Sequence, residues 1–296
     1  MIFDVSHRTL YAYSVPVVQS QHVTHLSPRT TPFQSVRHYS LLVEPAPALR
    51  IEGVDAFGNG MLTLDVAVPH KELVLHARST VETVPRLALD FATGKAWDDI
   101  DAGLTRTNSG LDIDTIQYRC TSRFTPVTPA IADYANGSFQ PARPVLSAAM
   151  DLTRRIFRDF TFDATATDIS TPITDVLRRR RGVCQDFAHL ALACLRAKRV
   201  PARYVSGYIL TRPAPGQSKL QGADASHAWI SVWSPDAGWV DFDPTNGIAA
   251  AGEHITIAYG RDYHDVSPIS GVLLGGGEHT VAVAVDVVPV TQAPGA

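Results

Sequence analysis

Three residues of this chain have side-chain types that together could carry nucleophilic catalysis: Cys184 in GVCQDFAHL, His227 in SHAWISVW and Asp243 in GWVDFDPTN. The thiolate is the reactive form of a cysteine, so a thiol needs a base or a favourable electrostatic setting before it can attack a carbonyl. An imidazole can take the thiol proton on one ring nitrogen. A carboxylate on the other nitrogen fixes the tautomer and steadies the imidazolium. Brought together, the three would form a Cys-His-Asp group for acyl transfer through a covalent acyl-enzyme.

The elements around Cys184 suit that task. Gly182 offers a sharp turn, and Phe187, Leu190, Ala191, Cys194 and Leu195 follow at helical spacing before Lys198-Arg199 and Pro201. This pattern predicts a helix buried against a sheet with Cys184 in its first turn. Unpaired backbone N–H groups and the helix dipole favour a thiolate there, and the same groups can receive the charge of a tetrahedral intermediate. Asp186 reads as an acceptor for first-turn N–H groups or as a substrate-binding group, with the capping role preferred. His189, five residues from Cys184, diverges from it around the helix and reads as a structural hydrogen-bonding residue. Gln185 and Tyr118 are candidates for a second oxyanion donor. Cys194 reads as a packed core thiol and Arg178 to Arg181 as a solvated run.

The base and its orienting group come from a predicted hairpin. Arg203 to Ile209 has strand composition, with Gly207 allowing another backbone to approach closely. The polar stretch TRPAPGQSKLQGADAS then reads as a loop bordering a cleft. HAWISVW and Trp239 to Asp243 flank the turn at Ser234 to Gly238, and pairing centred on Pro235 sets His227 opposite Asp243. Asp241 has the same parity and is the competing orienter; Asp243 is preferred for its reach and for Pro244 beside it. Trp229, Trp233 and Trp239 read as core. His254, Arg261, Asp262, Tyr263 and His264 form a polar segment that shapes the cleft, supports Asp243 or builds a structural network. Cys184, His227 and Asp243 include no close Cys or His pair and no fourth ligand, so neither a metal nor another cofactor is expected. Gly275-Gly276-Gly277 reads as a turn, because no Lys-Ser/Thr phosphate-loop ending follows it.

The rest of the chain supplies the scaffold. Phe3, Val5, His7, Thr9, Tyr11 and Tyr13 alternate as in a half-buried strand, and Val17–Leu26, Ser35–Val43, Leu62–Val68 and Leu73–Val84 read as further strands. Asp55 to Gly60 is a turn. Residues 1–85 are therefore expected to form an N-terminal β domain, sandwich-like in its packing. Residues 86–143 read as a connection with short elements, including an extended Ile116–Phe124 and a helical turn at Ala130–Tyr134. Residues 144–290 read as the catalytic domain, with helices at Pro144–Phe160 and after Thr171-Pro172 and a last strand at Val281–Val287. The scattered histidines of the first 85 residues lack metal-ligand spacing.

A charge of -3, with 45% hydrophobic and 19% charged residues, gives no reason to expect nucleic acid. No apolar run reaches the roughly 20 residues needed to cross a bilayer, and MIFDVSHRTLYAYS does not read as a signal peptide. Three cysteines make no disulfide scaffold, so a cytoplasmic location is expected.

At GVCQDFAHL, SHAWISVW and GWVDFDPTN the sequence closely resembles the bacterial transglutaminase-like cysteine enzymes. HRTLYAYS, LSPR and DAFGN resemble the β domain that precedes the catalytic domain in that family, and HITIAYGRDYHDVSPISGV resembles its carboxy-terminal portion. The resemblance implies an α+β, papain-like/transglutaminase-like core with a nucleophile helix packed on an antiparallel sheet, and Cys184, His227 and Asp243 as its triad. It leaves the acyl acceptor open. Water would make a cysteine peptidase or amidase acting on peptide or glutamine-type amides, which is the reading preferred here. An amine would make a transglutaminase, and a non-catalytic module would bind peptide in the same cleft without turnover.

Overall fold

The computed structural model describes residues 1–86, 88–100, 114–211 and 226–290. The loop read from TRPAPGQSKLQGADAS falls on residues 211–226 and so lies almost wholly outside the described residues, as do residues 101–113 of the connection.

In chain order the β unit contains β1 (Ile2–Thr24), β2 (Gln34–Glu44), β3 (Leu49–Val54), β4 (Gly60–Val66) and β5 (His70–Thr83). The two strands expected at Phe3–Tyr13 and Val17–Leu26 are one continuous strand, with its pairing register shifting between Ala12 and Val17. Its length lets its first half pair with β5 and its second half with β4. All these strands belong to a single seven-stranded sheet, a half-barrel in shape, rather than to two separate sheets.

The short helices α1 (Pro129–Asn136), α2 (Val145–Asp159) and α3 (Ile173–Arg179) follow. Thr128 caps α1 by accepting from the Ile131 N–H. The stretch expected to be extended at Ile116–Phe124 instead holds a 3-10 turn at Gln117–Arg119, which buries Tyr118. Two-residue strands β6 (Thr161–Phe162) and β7 (Arg181–Gly182) pair in parallel and lead into α4 (Cys184–Ala197). Next come β8 (Ala202–Ile209), β9 (Ser226–Ser234), β10 (Gly238–Asp243), β11 (Ile248–Ala249) and β12 (His254–Gly260), forming a second sheet in the order β11-β10-β9-β8-β12. Helix α4 is buried almost throughout and packs with Ala228, Ile230 and Val232 of β9 and Tyr204 of β8. No helix among the described residues is long and apolar enough to cross a membrane.

The chain then returns to its beginning. Strands β13 (Ile269–Gly275) and β14 (His279–Pro289), joined by the left-handed glycines Gly275 to Gly277, pair with the two halves of β1. Residues 269–289, assigned by sequence order to the catalytic domain, therefore complete the N-terminal sheet. Phe3, Val5, Val285 and Val287 share one core with Leu190, Leu192 and Ile230 of the second half. The two halves thus share a core, while the β half keeps a second one of its own around Val17, Leu64 and Leu75.

A buried hydrogen bond crosses this shared core: His7 Nδ1 and the Tyr208 hydroxyl lie 2.7 Å apart, and His7 Nε2 meets Thr9 Oγ1 at 3.1 Å. Burial, with the nearby His76, pushes the His7 pKa down to about 4. The unfolded chain therefore binds a proton here at a higher pH than the folded chain. Stability from this residue is present above about pH 6.5 and is lost as the pH falls towards 4. Urea midpoints measured across this interval should fall more steeply for the native protein than for His7→Gln.

Candidate active site

Cys184 is the first residue of α4, half-buried, and Val183 is the N-cap with extended backbone. Asp186 closes the first turn: its Oδ2 accepts from the Val183 N–H at 2.8 Å and from the Thr167 hydroxyl at 2.6 Å. Gly182 serves this arrangement by its lack of a side chain, since a Cβ there would lie 2.7 Å from Asp186 Oδ2. The backbone N–H groups of Cys184 and Gln185 belong to a turn without intrahelical acceptors and face the charge-stabilising end of the helix. Burial raises the Asp186 pKa, against the pull of its two donors.

His227 Nε2 donates to Asp243 Oδ2 at 2.7 Å, which leaves Nδ1 for a second partner. Burial alone would lower the pKa of this imidazole. The hydrogen bond to Asp243 and the electrostatic influence of Asp243 and Cys184 outweigh burial and raise it to about 10. Asp243 is wholly buried, and burial works to raise its pKa. Its donors win, and the carboxyl is held well below the usual carboxylate range. Besides His227, Oδ2 accepts from Asn246 Nδ2 at 2.6 Å and His254 Nε2 at 3.1 Å, while Oδ1 accepts from the N–H groups of Thr245 at 2.9 Å and Asn246 at 3.2 Å.

The hairpin brings these groups together in a different register from the one expected. Gly238 pairs with Ser234, Asp241 with Ser231 and Phe242 with Ile230, so the turn is centred on Asp236 and not on Pro235. Gly238 has a left-handed φ of 67°, which suits a three-residue turn closed by a glycine. Continued one step further, the register sets Asp243 opposite Trp229, with His227 on the diagonal. The pairing is offset by two residues from the expected one, and an even offset leaves both side chains on the same face.

The other candidates separate clearly. Asp241 accepts from Trp229 Nε1 at 3.3 Å and lies 3.8 Å from Arg86, so Asp243 alone of the two meets His227. His189 Nε2 accepts from the Tyr263 N–H at 3.1 Å and its ring stacks on Phe124. Tyr118 packs against Trp239 and Phe57, at the turn end of the hairpin and away from His227. Gln185 stays half-buried beside Cys184. Trp229 is fully buried, and Trp239 lies under the Arg203 guanidinium. Asn246 went unrecognised in the sequence; its place in DPTN, three residues after the carboxylate, was the available signal.

Ligand atoms of His227, Asp243 and His254 lie within 4.8 Å of one another, close enough for a metal to bridge. The hydrogen bonding does not fit one. His254 Nδ1 accepts from the Ala251 N–H at 3.3 Å, so its Nε2 carries the proton and donates to Asp243. A metal-bound imidazole would instead donate its second N–H outward.

Comparison with known proteins agrees with this architecture. The bacterial transglutaminase-like N-terminal region is matched over residues 3–82 and the transglutaminase-like superfamily core over residues 132–244. An uncharacterized protein of Mycobacterium tuberculosis strain H37Rv is 38% identical, over 97% of this chain and 92% of its own length. A protein-glutamine gamma-glutamyltransferase of Pseudomonas aeruginosa is 39% identical over 72 residues, which cover 24% of this chain and 11% of that one. The crystal structure of a proposed cysteine protease from Cytophaga hutchinsonii superposes with a TM-score of 0.75 at 21% identity, covering 99% of this chain and 93% of that one. The chain belongs to the transglutaminase-like superfamily, with the bacterial transglutaminase-like region at its N-terminus.

The raised His227 pKa has a testable sign. The folded protein holds this proton more tightly than the unfolded chain does, so the stability it contributes is present below about pH 6.5 and lost as the pH rises towards 10. Asp243→Asn removes the charge that holds the proton. Imidazole NMR titration should find His227 charged beyond neutral pH in the native protein and losing its proton at a lower pH in Asp243→Asn.

Proposed function

We propose that the protein is a thiol-dependent acyl-transfer enzyme acting on peptide or glutamine-type amides, with Cys184 as nucleophile, His227 as proton carrier and Asp243 as the group that orients it. The observation that carries this reading is the 2.7 Å His227–Asp243 hydrogen bond, on an imidazole whose proton affinity is raised by Asp243 and by Cys184, the first residue of α4. A histidine held on its far side by a carboxylate has its near nitrogen aimed and its tautomer fixed.

The Cys184 sulfur attacks the amide carbonyl carbon, forming a C–S bond, and the oxygen takes the electron pair. First-turn N–H groups of α4 stabilise that oxyanion. The carbonyl reforms as the C–N bond breaks, and the His227 imidazolium gives its proton to the departing amine. The acceptor then attacks the thioester while His227 takes its proton; the C–S bond breaks and the thiolate returns.

Water is the preferred acceptor, giving a cysteine peptidase or amidase. Transfer to an amine is the second reading, favoured by the stretch shared with the Pseudomonas protein-glutamine gamma-glutamyltransferase. Incubating the protein with glutamine-containing peptides, with and without a labelled primary amine, separates the two. Acylation by a glutamine side chain releases ammonia in either case; hydrolysis then leaves a glutamate carboxylate, or a new amino terminus if a peptide bond is cut, whereas transfer incorporates the label. Cys184→Ser should lower either product by about a thousand-fold or more. Peptide binding that survives Cys184→Ser, without turnover by the native protein, would identify a binding module instead.

A further inference from the structure

The β domain reaches the second sheet at an unusual place. β12 is an edge strand, paired with β8 on one side. The outward backbone groups of an edge strand need partners when buried. Two carboxamides from the β domain supply them. Gln34 Oε1 accepts from the Thr256 N–H at 2.8 Å and Gln34 Nε2 donates to the Thr256 carbonyl at 2.7 Å. Asn59 repeats the pattern on Tyr259: its Oδ1 accepts from the N–H at 2.8 Å and its Nδ2 donates to the carbonyl at 2.8 Å. Each side chain thus stands in for a neighbouring strand.

Both carboxamides are themselves held. The second Gln34 N–H goes to the Arg29 carbonyl at 2.7 Å, and Asn59 Nδ2 also donates to Asp55 Oδ2 at 2.7 Å. Gln34 is 5% exposed and Asn59 is wholly buried, so neither contact is a loose surface bond. The LSPR and DAFGN stretches therefore meet at this contact.

His254 begins the clamped strand, two residues before Thr256, and donates to the same Asp243 oxygen that receives His227. Its ring is buried, lies edge-on to Trp229 at 5.1 Å, and has its tautomer fixed by the Ala251 N–H. We propose that His254 is a positioning residue for the reaction, tempering the hold of Asp243 on His227, and that the β domain keeps it in place through the Gln34 and Asn59 clamps on β12. The proposal rests on the reading of Cys184, His227 and Asp243 as the reactive group, and extends it to the role of the N-terminal domain.

Without His254, Asp243 still accepts from Thr245, from the Asn246 backbone and side chain, and from His227, so it keeps its place. Its charge is then shared among fewer donors and falls more heavily on His227. Among the described residues, the other titratable groups near His227 are Cys184, from α4, and His254 itself, whose ring centroid lies 6.1 Å away. Asp241 and Arg86 pair with each other beyond Trp229.

The test is an imidazole NMR titration of His227 in the full-length protein. In His254→Ala the ring should lose its proton about one unit higher, a ten-fold change in its dissociation constant. His254→Gln, whose carboxamide can still donate, should restore most of the native value. Gln34→Leu should move the titration in the same direction, and combining it with His254→Ala should add nothing further. An unchanged or lower titration point in folded His254→Ala overturns the role of His254. A Gln34→Leu shift that is absent, or that adds fully to the His254→Ala shift, overturns the clamp. None of these readouts uses turnover. Failure of the acyl-transfer reading would appear separately, as a native protein without Cys184-dependent products.

Discussion

The Asp243 carboxylate is the constraint on which the rest of the site depends. It has no exposure to water and accepts five hydrogen bonds. A buried carboxylate without donors would take up a proton, since removing its hydration costs several kcal/mol. The donors here keep it charged, and a charged carboxylate is what holds the His227 ring charged in turn. The donors come from three pieces of local structure: the start of β9, the turn after Asp243, which supplies three of the five, and the start of β12. The fold around the hairpin can be understood as the means of bringing these donors to one oxygen pair.

The Cys184 side is built more locally. Asp186 sits one turn into α4 and ties down Val183, while Gly182 stays small enough to let it do so. Thr167 brings in the loop before α3. Cys184 therefore leaves the turn in a direction set by its neighbours in sequence, whereas His227 and Asp243 are set by pairing. Gly207 connects the two schemes, because a Cβ there would collide with the Ile255 carbonyl oxygen and the Trp229 ring. The close packing of β8, β9 and β12 at the level of His227 depends on that missing side chain.

What the sequence made legible follows the same division. The helix beginning at Cys184, the acceptor role of Asp186 and the structural role of His189 depend on residues within about one or two turns, a range over which spacing is informative. The choice of Asp243 over Asp241 also holds geometrically, although the expected register was offset: Gly238 joins the ladder opposite Ser234 and moves the turn to Asp236. The even offset preserved the facing side chains. Less legible were the contributions from distant chain. The valine-rich end of the sequence reads as a strand, but nothing in its alternation says that it pairs with β1 rather than with the second sheet. Likewise, the carboxamides of Gln34 and Asn59 look like ordinary strand and turn residues until β12 lies beside them. Long-range pairing carries no local signature, so the join between the two halves could not be read in advance.

The most direct test of the central claim uses a small activated ester, p-nitrophenyl acetate, with intact-mass detection. The account predicts a burst of one equivalent of nitrophenolate, an acetyl group mapping to Cys184, and its slow release in the native protein. In folded His227→Gln the burst should be slowed and any acetyl group that forms should persist. Acetylation of exposed Cys120 at the same rate as Cys184, or a burst unaffected by His227→Gln, would contradict it.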